Sequence, residues 1–148
     1  MSNTDHNEIG FIKDGPWDSL YVLTQHWESD LEFYTDDSRF LYALIDKYFI
    51  WVTKSENLDS VKKLMSNLCS LRETIKRLLG KTTQHRVRLG YLVENPKSAD
   101  TDVIKNDHQR LEAEMADVVK LFRSNRKDIF EITEFIIDSE KLEYLMKA

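Results

Sequence analysis

Two of the chain's four histidines have a spacing that could support chemistry. His85 follows Leu71, Ile75, Leu78 and Thr82 at steps of three and four, and His108 sits in the same way among Ile104, Leu111 and Met115. Residues so spaced share one helix face, so both imidazoles are expected to point inward among apolar neighbours. Folding their segments back on one another brings Thr24, His85 and His108 to similar height, with Thr82 one step along. Two imidazoles with a carboxylate from Glu28 or Glu112 would suit zinc or another transition metal. The same residues also read as a hydrogen-bonded layer that fixes helix register, as polar residues do in coiled-coil seams. The register layer is the preferred reading, and no metal or cofactor is expected.

Other chemistries find less support. Di-iron bundles use paired Glu-x-x-His spacings, and none of the four histidines has a glutamate three residues before it. His26 with Asp30, and His108 with Glu112, have helical i,i+4 spacing, but single pairs of this kind arise often by chance. Gly80-Lys81-Thr82 resembles the end of a phosphate-binding loop, yet Ile75 stands where the first glycine belongs and the context is helical. Gly80 is instead expected to let the first helix approach closely near Asp30 and Leu31. There is no Gly-x-Ser-x-Gly elbow, and the single cysteine, Cys69, reads as a small buried hydrophobe. The reading therefore leans away from catalysis.

The elements that must position these residues are long helices. From Asp100 to Ala148 there is no proline or glycine, and Ile104, His108, Leu111, Met115, Val118, Phe122, Asn125, Ile129, Ile132 and Ile136 trace one seam. A second seam runs from Val61 through Leu68, Ile75 and His85 to Leu92, ending where Asn95 meets Pro96. A third runs from Trp17 through Leu20, Thr24, Trp27, Leu31, Leu41 and Ile45 to Val52, and keeps its phase across Thr35–Ser38. These seams predict an all-α fold: an elongated, coiled-coil-like antiparallel up-down-up bundle of helices over about 17–54, 57–95 and 100–147. A break near 35–38, capped by Asp36 or Asp37, would give four helices instead. Residues 1–15 read as a disordered leader and 16–148 as a single bundle domain. Folding about Ser55 sets Glu28, Glu32, Asp36 and Asp37 near Lys81, Arg77, Lys76 and Arg72, so acid is expected to meet base.

Composition agrees. Only 4 glycines and 2 prolines in 148 residues are too few for a turn-rich β protein. One cysteine excludes an intramolecular disulfide and suits a reducing compartment. The leader has no secretory pattern, and no apolar run is long enough to span a bilayer. A net charge of -5 argues against nucleic acid and anionic membrane as partners, and the basic residues between Arg72 and Arg88 spread around their helix. These points place the chain in the cytoplasm.

The aromatic excess points to binding. Phe33, Phe40, Leu44 and Trp51 form a second apolar stripe beside the main seam of the first helix. On the last helix, Phe135, Leu142 and Leu145 stand off the seam in a segment that overhangs the other helices. Burial of these residues against another copy is the expectation: a non-catalytic interaction protein, homodimeric and open to a further protein partner. The competing class is a metal- or small-ligand-binding bundle centred on the Thr24/His85/His108 layer.

Overall fold

The computed structural model describes residues 17–52, 55–97 and 101–147, with side chains described over 17–52, 57–97 and 101–139. Among them are three helices and no strand: α1 (Trp17–Phe49), α2 (Ser55–Glu94) and α3 (Thr101–Lys147). They pack as a three-helix bundle, the predicted class. The expected leader lies outside the described residues.

Helix α1 runs unbroken through Thr35–Ser38, which removes the four-helix alternative. Its polar side chains there turn to their own helix rather than capping a new one. Ser38 is buried and its hydroxyl donates to the Thr35 carbonyl at 2.8 Å, while Asp36 pairs with Arg39 one turn on. The helix stops at Phe49, short of the expected Lys54, where Trp51 N donates to Tyr48 O and Val52 N to Phe49 O, each at 3.1 Å. These tighter i→i+3 bonds take up the last orphan carbonyls. Helix α2 already begins at Ser55, two residues ahead of the expected start at 57. It ends at Glu94, just before the Asn95-Pro96 stop that the sequence predicts.

The seams are buried nearly as read. Leu31, Leu41, Ile45, Val61, Leu68, Leu89 and Ile129 are fully enclosed. Late in α3 the buried face slips: Ile132 is only half-buried and Thr133 takes the core position. A helix of 3.6 residues per turn drifts against a pattern of strict threes and fours, and this is where the drift accumulates.

Tertiary contacts gather into two compact units, each drawing on all three helices. In the first, built from α1 up to Phe33 with Lys76–Asp117, Leu20, Leu89, Leu92 and Ile104 form a core flanked by Trp17 and Tyr21. Glu28 meets Thr83 and Arg86, while Lys81 meets Glu114 and Arg88 meets Asp107, so α2 runs against both neighbours. In the second, Tyr34 packs on Phe122 with ring centroids 4.4 Å apart, Asp37 accepts from Arg126 Nε at 3.2 Å, and Phe40 meets Phe130. Numbers rise together along α1 and α3 in these contacts, so the two helices are parallel.

Acid does meet base, but not in the expected pairs. Glu28 takes Arg86 instead of Lys81, and Lys81 turns to Glu114 at 3.3 Å. Asp37 takes Arg126 of α3, and Arg72 lies over the Tyr42 ring, 5.7 Å from its centroid. Glu32, Lys76 and Arg77 are exposed. The observed α1–α2 neighbours, Glu28 with Arg86 and Tyr42 with Arg72, are symmetric about position 57 rather than Ser55, and α3 competes for the same acids.

Two glycines fall inside α2. A Cβ at Gly80 would have nothing within 4 Å, so the expected close approach to α1 is not there. At Gly90 the Tyr21 ring lies 3.2 Å from the Cβ position, and this is the glycine that admits a neighbour. Gly80→Ala should therefore stabilise the fold by about 0.5–1 kcal/mol, from reduced chain entropy alone. Gly90→Ala should gain less or lose stability, because Tyr21 must move. Urea unfolding of the two variants checks the order.

Candidate functional site

The first unit contains the histidine pair. His85 of α2 and His108 of α3 are 0% and 1% exposed, and His85 Nε2 lies 3.0 Å from His108 Nδ1. Their burial follows from position: each replaces an aliphatic residue on its seam, between Leu78 and Leu89 on one helix and Ile104 and Leu111 on the other. On the α1 side the place expected of Thr24 is taken by Trp27, whose ring stacks on His108 with centroids 4.8 Å apart. Thr24 and Thr82 are buried, but their hydroxyls donate along their own helices, to Leu20 O at 2.8 Å and Leu78 O at 2.7 Å. The structure thus brings the two histidines together, adds Trp27, and leaves the two threonines outside the hydrogen bond.

One proton lies between the rings. Whichever nitrogen donates, the pair's outer nitrogens, His85 Nδ1 and His108 Nε2, are buried without a partner among the described residues. One of them is then a bare acceptor and the other an N–H. Leaving such groups unmet costs on the order of 1–3 kcal/mol each, so the pair is retained at a cost to stability. Burial pushes His85 down to about 4, helped by His108 and by the Arg88 guanidinium and opposed by Asp107. Burial alone brings His108 to about 4. Both rings are therefore neutral at pH 7.

The carboxylates named with the histidines do not complete a metal site. Glu28 accepts from Thr83 Oγ1 at 2.9 Å and pairs with Arg86, whose charged form is favoured first by Tyr21 and then by Glu28. Glu112 is half-buried one turn beyond His108 on α3. No group of three or more His, Cys, Asp or Glu side chains among the described residues is arranged to hold a metal. Two neutral nitrogens without a carboxylate would leave a buried dication uncompensated.

The second unit contains the apolar stripe. Phe40 is 53% exposed and Trp51 46%, while Leu44 is half-buried; Phe33, in the first unit, is 60% exposed. Helix α3 meets one edge of the stripe. The Phe40 and Phe130 ring centroids are 6.5 Å apart, and the Arg126 guanidinium lies over Phe130 while holding Asp37. Ile137, two turns beyond Phe130 on the same face of α3, is also exposed. Phe135 belongs elsewhere: it lines an open groove between α2 and α3 with Ser60, Lys63, Leu64 and Asp128. The side chains of Leu142 and Leu145 lie outside the described residues. Sequence reasoning did not single out Phe130 and Ile137, although their seven-residue spacing beside the seam was visible.

Cys69 is exposed, not buried, because it sits one residue past the seam position Leu68 and faces away from the core. The basic segment of α2 is largely occupied within the chain, since Arg72, Lys81, Arg86 and Arg88 all face a carboxylate or a ring. No helix among the described residues is long and apolar enough to cross a membrane. The chain matches no family model, and no curated protein or solved structure is significantly similar to it.

The histidine pair makes stability depend on pH. The unfolded chain takes up protons near the ordinary histidine value of 6.5, whereas the folded pair resists them down to about 4. Stability is thus complete above 6.5 and falls as the pH drops toward 4. The loss is on the order of 2 kcal/mol per histidine by pH 5. The comparison to make is between the wild-type chain and His85→Leu/His108→Leu. Urea unfolding at pH 7.5 and pH 5 should show a clearly smaller loss in the double variant; equal losses would refute the assignment.

Proposed function

We propose that this chain is a non-catalytic, cytosolic helical-bundle protein that works by association, first with a second copy of itself, through the apolar face shared by α1 and α3. The observation that carries the reading is the half-exposed row of Phe40 and Trp51 on and just beyond α1 beside Phe130 and Ile137 of α3. A helix of a three-helix bundle needs one apolar stripe for its core, and α1 has already buried Leu41 and Ile45 there. A second stripe on the same helix needs a second surface. Covering a half-exposed phenylalanine contributes roughly 1–2 kcal/mol, so four such residues supply the centre of an interface of ordinary size. Charges at the rim, Asp37, Arg126 and Lys47, fit the usual pattern of a dry centre and a polar edge. The α2–α3 groove lined by Phe135 is a separate place where a further protein partner would dock.

Phe40→Glu, and separately Trp51→Glu, should raise the dissociation constant at least tenfold, about 1.4 kcal/mol, while circular dichroism remains as helical as the parent. Sedimentation equilibrium reads the mass. A wild-type chain that stays monomeric at the highest soluble concentration refutes self-association.

A further inference from the structure

Resting on that reading, we infer that the two copies pack α1 against α1 in antiparallel fashion, about a twofold axis level with Tyr42. The spacing of the face carries the inference. Phe40 and Leu44 lie two residues to either side of position 42, and Asp37 and Lys47 five. An isologous interface requires this kind of self-complementarity, in which residue i meets j and j meets i. Turned end over end about position 42, the stripe presents Phe40 to Leu44 of the other copy at one level. Asp37 then comes level with Lys47, opposite charges that the lysine's long stem can bring together. Tyr42 does not obstruct the axis, because its ring faces α2, where Arg72 lies over it.

A parallel pairing of the same two faces gives the reverse result. It sets Asp37 level with Asp37 and Lys47 level with Lys47, and like charges held opposite one another at an interface are destabilising. Lys47 is exposed, 5.6 Å from the Tyr48 ring centroid, and so stands at the edge of the stripe rather than in the core. Asp37 already accepts from Arg126 at 3.2 Å, so a lysine from the second copy would join a local pair and not meet an isolated acid.

The test uses the full chain with Cys69→Ser and one nitroxide label at a time, on Ser29→Cys or Asp36→Cys, both exposed positions on α1. At 1.5 Å of rise per residue, antiparallel pairing separates the two copies of position 36 by about 18 Å along the axis and those of position 29 by about 39 Å. Dipolar distances differing by roughly 20 Å between the two labels are the expected result. Equal distances from a chain of dimer mass overturn the antiparallel pairing and leave self-association standing; a monomer mass overturns both. Independently, Lys47→Glu should weaken association several-fold, and adding Asp37→Lys should restore it. A double variant as weak as the single one overturns the register.

Discussion

A helix in a small bundle can hide one stripe, and the remaining face must answer to water or to another molecule. Each of the three helices here obeys that constraint along its seam, and the features of interest are its exceptions. On α2 and α3 the exception is a polar pair placed where aliphatic residues would serve. On α1 it is a surplus of apolar residues placed where polar ones would serve. The first reduces the stability of the folded chain, and the second leaves attraction unspent at its surface.

The histidine pair shows how a polar contact can specify a fold without strengthening it. Leucine at either position would slide along the seam at little cost, because apolar contacts have no direction. A hydrogen bond 3.0 Å long between His85 and His108 has direction and range, and it is met in one register of α2 against α3. Trp27 then closes the third side with a stacked ring. Neighbouring ion pairs such as Arg88 with Asp107, at 3.0 Å, support the same register from the surface. They are exposed to water and individually weak, so they follow the alignment more than they set it.

Much of this was legible in the sequence because helical burial is periodic. The three helices, the burial of Thr24, His85 and His108, and the continuity of α1 through Thr35–Ser38 all follow from spacing. What periodicity does not contain is the rotation of each helix about its own axis relative to two neighbours. That rotation decides that Trp27 rather than Thr24 meets the histidines, that Asp37 finds Arg126 rather than Arg72, and that Phe135 lines a groove with α2 while Phe40 meets Phe130. Cys69 was misread for a related reason: one residue off a seam is a turn of 100°, enough to move a side chain from the core to water. Gly80 was misread because a missing side chain marks an opportunity for approach, and only the neighbour's position shows whether it is taken.

The histidine contact also constrains how the chain can change over time. Replacing one histidine with an aliphatic residue leaves the other ring with both nitrogens unmet in a dry interior, as many unmet groups as the pair has, with the bond between the rings lost. Positions 85 and 108 are therefore coupled: the relief of the unmet nitrogens comes only with the second substitution, whichever is made first. Among descendants of this sequence, the two sites should be inherited as a unit, both imidazole or both hydrocarbon, with Trp27 free to lose its aromatic ring in the second case.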